Sequence, residues 1–164
     1  MNKHNRILGI IVFILTICIG CEKEDPEYIS VDFKLVDEFG HQRSKFSQGD
    51  SIIFEFYLSN FSGAEAIYRR PCPEFVQYLN LYREDSVGKY VFCGRPEYYC
   101  VAIADYRSLG NEETILIGRM HWTWIAKHGW PDKEPGKYFV GDTLSLMIND
   151  TTLDFVERIY LEIE

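Results

Sequence analysis

Ser51-Ile52-Ile53-Phe54-Glu55-Phe56-Tyr57-Leu58-Ser59-Asn60 is the stretch that decides the fold class of this chain. Apolar and polar residues alternate along it, Ile52 and Phe54 or their neighbours face inward, and Asn60-Phe61-Ser62-Gly63 stops it, as expected of a strand with one buried face. Working outward, Ile29-Ser30-Val31-Asp32-Phe33-Lys34-Leu35-Val36 alternates in the same way and meets a turn at Asp37-Glu38-Phe39-Gly40. Phe75 to Tyr82 and Lys89 to Cys93 form a predicted hairpin across a turn near Glu84 to Gly88. Thr114 to Trp124, Lys137 to Met147 and Phe155 to Ile163 complete the β-rich segments, with Glu134-Pro135-Gly136 and Asn149-Asp150 as breaks. No helical period is sustained. About seven short strands in an all-β chain predict an antiparallel β-sandwich of immunoglobulin-like type.

The N-terminus reads differently. Lys3 and Arg6 precede an apolar run from Ile7 to Ile19 that ends in Gly20-Cys21. A spanning helix needs roughly twenty apolar residues, so this run has the length of a cleaved signal sequence instead. Ile19-Gly20-Cys21 resembles the bacterial lipobox, although Cys18 stands where that motif usually carries Leu. The resemblance implies removal of residues 1–20, acylation of Cys21 and attachment to a membrane through lipid. Residues 21–28 read as an acidic tether. Within it Lys23-Glu24-Asp25 resembles the Lys-acid-acid export signal of Bacteroidetes lipoproteins, which implies an outer-membrane lipoprotein exposed at the cell surface, with a periplasm-facing domain as the alternative.

Residues 29–164 then make one domain, a size that supports a sizeable core. Losing residues 1–20 removes Lys3 and Arg6 and no acid, so the formal charge moves from -8 to -10. A polyanion is repelled by that balance, and Arg69-Arg70 alone offers no phosphate track, which excludes nucleic acid as an expected partner.

Phe54 to Ser62, the segment Tyr78-Leu79-Asn80-Leu81-Tyr82 through Gly88-Lys89-Tyr90-Val91-Phe92, the run from Asn111-Glu112-Glu113 to Trp122 or Trp124, and Pro135-Gly136-Lys137-Tyr138 occur in an order similar to the bacterial intracellular proteinase inhibitor (BsuPI) family. The family's hairpin Trp is here Phe92, and its Gly before the Glu is Asn111. The resemblance implies an immunoglobulin-like sandwich and, as one function, proteinase inhibition; its residues are turn and core residues, which speak to fold before function.

Cys72, Cys93 and Cys100 remain after processing, and an exported chain permits a disulfide. The predicted hairpin sets Cys93 opposite about Tyr78, which favours Cys72 with Cys100 and leaves Cys93 with Cys100 as the alternative. His121 and His128 lack metal-ligand spacing with these cysteines, so no metal and no cofactor is expected. Glu112-Glu113, Asp105 and Asp132 fall in predicted turns or linkers, where carboxylates are solvated, and no catalytic pair stands out. Four triplets, Asp50-Ser51-Ile52, Asp85-Ser86-Val87, Asp142-Thr143-Leu144 and Asp150-Thr151-Thr152, resemble the Bacteroidetes O-glycosylation site, while Asp-Ser/Thr entering a strand also explains them as turns.

Trp122, Trp124 and Trp130 are the ligand-binding candidates. Trp122 and Trp124 share one face of the predicted strand, where core packing competes with contact to a sugar or protein, and Trp130, in Gly129-Trp130-Pro131, is the expected exposed member. The sequence thus predicts a membrane-anchored lipoprotein whose non-catalytic domain binds a protein or glycan, with proteinase inhibition and a carbohydrate-active enzyme or its accessory as alternatives.

Overall fold

The computed structural model describes residues 28–70, 79–96, 105–141 and 143–164. Among these residues the chain is mostly β, with twelve strands and one short helix: β1 Ile29–Val36, β2 Lys45–Phe46, β3 Ile53–Asn60, β4 Ala66–Arg70, β5 Leu81–Glu84, β6 Tyr90–Gly94, β7 Asp105–Leu109, β8 Glu113–His121, α1 Trp122–Ala126, β9 Gly136–Val140, β10 Thr143–Ile148, β11 Thr151–Val156 and β12 Ile159–Ile163. They form three sheets, β1-β3-β8, β11-β10-β4-β7 and β2-β12-β9-β5-β6. Every pair is antiparallel except β2 with β12.

Alternation in the sequence becomes alternation of burial along most of β1, whereas β3, the central strand of its sheet and expected to have one buried face, is buried on both faces except at Tyr57. Val31, Phe33 and Leu35 of β1 face inward beside Phe54, Phe56 and Leu58 of β3, and Phe33 stacks on its cross-strand partner Phe56 at 4.4 Å and 10°. The opposite face of the same pair is polar: Lys34 pairs with Asp32 at 3.0 Å, and Tyr57 donates to Glu55 at 2.8 Å. All three sheets contribute one face to a single buried cluster, which includes Tyr68, Leu109, Leu146, Tyr138 and Leu161. That shared cluster holds the sheets together, because each apolar face must be removed from water somewhere.

Several predicted strands are divided or ended early. Lys137 to Met147 breaks at Gly141 into β9 and β10, and Phe155 to Ile163 breaks after Val156 into β11 and β12, so each half joins a different sheet. Asp105, expected in a turn, opens β7. Asn149 and Asp150, at φ of 48° and 62°, make the tight turn between β10 and β11, a backbone that these two residue types adopt at little cost. Strand β8 stops at His121 because its partner stops: Ile53 pairs with His121, and Trp122 N–H then donates to the Ile52 carbonyl at 2.9 Å. The chain turns into α1 there, which overturns the expectation of a strand through Trp124.

The turn after β1 is locked by Asp37, whose buried carboxylate accepts from the N–H groups of Phe39 and His41 at 2.9 Å each and faces Arg43 at 3.1 Å. Burial pushes this carboxyl up, but the two backbone donors and the charges of His41 and Arg43 outweigh that and hold it below the usual range. A carboxyl depressed on folding contributes stability that is complete above the unfolded value, about 4, and is lost as pH falls through the folded value. Urea midpoints of the natural chain and Asp37→Asn are therefore expected to differ clearly at neutral pH and to converge as pH falls below about 4.

Candidate functional site

Five-stranded sheet β2-β12-β9-β5-β6 buries Leu81, Tyr138, Val140, Leu161 and Ile163 on its inner face, so the alternate residues of β5, β9 and β12 form the outer face. Register does the rest. Phe92 pairs with Tyr82, Tyr82 with Phe139, and Phe139 with Tyr160, which lays four aromatic side chains in one row across four strands. Tyr82 and Phe139 stack at 4.3 Å and 13°, Phe92 meets Tyr82 edge-on at 5.6 Å, and Tyr160 lies 5.7 Å from Phe139. Tyr90 adds a fifth ring, 5.0 Å from Phe139 and 6.0 Å from Tyr160, and the Arg158 guanidinium covers Phe139 at 5.5 Å.

One pair further along the same face the row becomes ionic. Lys137, opposite Glu162, has its ammonium 3.6 Å from Glu84, and Lys45 reaches Glu162 at 2.8 Å. The hydrogen bond and charge of Lys45 hold the Glu162 carboxyl below its ordinary range, and the same contact raises Lys45. Burial, with Glu84 and Tyr160 nearby, pushes the Tyr90 phenol up. A groove of about 180 Å³ opens between the two rows, walled by Tyr90 and Tyr160.

Cross-strand aromatic pairs stabilise sheets by roughly 0.2–1 kcal/mol each, and this accounts for the half-buried centre, Tyr82 and Phe139. It does not require the ends of the row to stay in water, yet Phe92 is 54% and Tyr160 53% exposed, with Tyr90 on the same face also partly in water. Contiguous exposed apolar surface of this kind is a mark of contact with something else.

The tryptophans singled out by sequence are elsewhere. Trp122 and Ile125 form the buried side of α1, and Trp130, expected to be exposed, is buried at 4% exposure. Its indole donates to the Leu79 carbonyl at 2.8 Å while its ring meets Trp122 at 4.8 Å and Phe54 edge-on at 5.4 Å. Chain reversal after α1 points Trp130 inward, where a Gly-Trp-Pro turn suggests the surface. Trp124 is half-buried and stacked on His128 at 4.2 Å. Trp122, Trp124 and Trp130 therefore do not form one exposed face.

Cys93, exposed on β6, carries a free thiol and sits at a bulge beside Leu81 and Tyr82. Cys72, Cys100 and Tyr78 lie outside the described residues, as do Cys21, Lys23, Glu24 and Asp25. Among the described residues no three His, Cys, Asp or Glu side chains gather to hold a metal ion, and no helix is long and apolar enough to cross a membrane. Asp85 is a turn residue, accepting from the N–H groups of Val87 at 2.9 Å and Lys89 at 2.8 Å.

No family model matches the chain, and no curated protein matches it. Among solved structures it is similar to a Northeast Structural Genomics Consortium target, SoR45, at 11% identity over 84% of this chain and 88% of that one, with a TM-score of 0.39. It is also similar to Pseudomonas fluorescens alkylpurine DNA glycosylase AlkC bound to DNA containing an abasic site analog, at 14% identity over 84% of this chain and 30% of that one, with a TM-score of 0.36. Likenesses this distant carry neither a fold family nor a ligand to this chain.

Proposed function

We propose that this chain is an exported, lipid-anchored binding module, acylated at Cys21, with an immunoglobulin-like β-sandwich on an acidic tether and no catalytic activity of its own. Its contact surface is the outer face of the five-stranded sheet. The observation that carries this reading is the row Phe92, Tyr82, Phe139 and Tyr160, continuous across four strands and more than half exposed at both ends. An aromatic centre with an ion-paired border is the arrangement expected of a recognition surface, where rings supply area at low entropic cost and charges set orientation. The immunoglobulin-like reading is supported by antiparallel sheets closing on one core. The lipid anchor rests on the lipobox, and a surface-facing position on Lys23-Glu24-Asp25.

A photo-reactive amino acid at position 92 of the full tethered chain, irradiated in living cells, is expected to give discrete adducts. The same group at position 116, where Leu116 is 46% exposed on the three-stranded sheet, serves as the comparison. Adducts at 92 and none at 116 support the reading; equal labelling of both, or of neither, overturns it.

A further inference from the structure

The groove beside the aromatic row has a chemical character of its own. Tyr90 and Tyr160, in edge-to-face contact at 6.0 Å, form its aromatic side, and Ser44, Lys45, Lys137 and Glu162 supply its polar lining. More than half of each lysine side chain is in water, and a third of Glu162 is. Donors and acceptors thus alternate within one shallow space next to exposed aromatic carbon.

Three ligand chemistries can be compared against that lining. A simple anion finds no net attraction, because Lys45 is satisfied by Glu162 and Lys137 by Glu84. An apolar protein anchor would strip water from these two pairs and offer no hydrogen bonds in its place, and desolvating an ion pair in that way is costly. A pyranose ring meets both demands. Its C–H face lies against an aromatic ring, and its rim hydroxyls, each a donor and an acceptor, replace water on ammonium and carboxylate bond for bond. The groove is also smaller than the usual drug-sized pocket, which suits one sugar ring of a longer glycan.

We infer that the groove beside the Tyr90–Tyr160 pair is a saccharide subsite that takes a single uncharged sugar ring of an extracytoplasmic glycan, stacked on Tyr160 or Tyr90 and hydrogen-bonded by Lys137, Lys45 and Glu162. This rests on the outer sheet face being the contact surface, and it narrows the ligand of that face from protein or glycan to glycan. Register between β9 and β12 fixes Lys137 opposite Glu162, while Tyr90 of β6 and Tyr160 of β12, on strands that do not pair, meet through their rings beside Phe139.

The test is an amide NMR titration of the whole domain on its tether with neutral trisaccharides (maltotriose, cellotriose, laminaritriose, mannotriose and tri-N-acetylchitotriose) at millimolar concentration, with glucuronate and inorganic phosphate as ionic probes. At least one trisaccharide is expected to shift the amides of residues 44–45, 90, 137 and 160–162 in a saturable way. Tyr160→Ala, which removes an exposed ring and leaves the core intact, is expected to weaken that binding about tenfold, and Glu162→Gln to weaken it several-fold, while Leu116→Ser leaves it unchanged. Failure of every trisaccharide, or binding of glucuronate or phosphate at least as tight, overturns the saccharide subsite. If position 92 still crosslinks in cells when the saccharides fail, the sheet face keeps its role with a protein ligand and only the present inference falls; if both fail, both fall.

Discussion

Replacing Asn60 by Asp is expected to remove a large share of the domain's stability at neutral pH. Asn60 is fully buried at the end of β3, and its amide nitrogen donates to the carbonyls of Ala64, Leu109 and Gly110 at 2.8, 3.0 and 3.1 Å. Its oxygen accepts from both the N–H and the hydroxyl of Ser62 at 3.0 and 2.7 Å. Two amide hydrogens serve three carbonyls, so the side chain joins the turn after β3 to the β7–β8 connection with no spare capacity. Aspartate has almost the same shape but aims a charged acceptor at three acceptors. The expected loss is about 4 kcal/mol, set against a total stability of about 5–15 kcal/mol. Burial and the facing carbonyls disfavour the charged form, so the new carboxyl should titrate above its ordinary value and the variant should regain part of its stability on acidification from neutral pH to about 5, where the protonated acid donates once. Urea unfolding at the two pH values checks both statements; an Asn60→Asp chain as stable as the natural one at neutral pH would show that Asn60 is not the tie described.

Asn60 also marks how far the sequence can be read. The strand leading to it and the turn after it are legible because Ile52, Phe54, Phe56 and Leu58 recur at every second position and because Asn and Gly end it, while the burial of the strand's other face is not legible. Strand β1 is equally legible, and its bounds coincide with the alternating run Ile29 to Val36. What Asn60 ties together is not legible, since Leu109 and Gly110 lie about fifty residues away and only the tertiary fold brings them near. Asn111 accepts a hydrogen bond from Gly63 N–H at 2.8 Å across the same junction. Strands β2, β4 and β7 are hidden from sequence for a different reason. They are two to five residues long, and Tyr106-Arg107-Ser108 is exposed, so there is too little alternation to detect.

The aromatic face is invisible in sequence because its rings are never adjacent there. Tyr82, Phe92, Phe139 and Tyr160 come from four strands, and only the pairing register aligns them. A weaker signal is present. Leu81-Tyr82, Val91-Phe92, Tyr138-Phe139 and Tyr160-Leu161 each place apolar residues on both parities, so each strand has an apolar outer side to account for. Tryptophan is the more conspicuous signal, as the largest side chain, clustered within nine residues. Size favours burial and interfaces alike, so the residue type does not choose between them.

Trp130→Ala separates those two roles by magnitude. Phe54, Trp122 and Trp130 meet at ring distances of 4.8 to 6.2 Å, with Tyr138 against Trp122 at 5.8 Å, and Trp130 is almost wholly withdrawn from water. Removing the indole leaves a cavity in this group and deprives the Leu79 carbonyl of its donor, for an expected loss of about 3–5 kcal/mol from the cavity and about 1 kcal/mol from the carbonyl. Trp124→Ala removes a half-buried ring stacked on His128 and should cost about 1 kcal/mol. Urea unfolding of the two variants reads the difference directly. A Trp130→Ala chain that stays within about 1 kcal/mol of the natural one would place the indole outside the core, and Trp130 would return as a contact residue. With the expected loss, any ligand binding abolished by Trp130→Ala reports unfolding, whereas Tyr160→Ala, on the exposed end of the aromatic row, changes binding in a domain that is still folded.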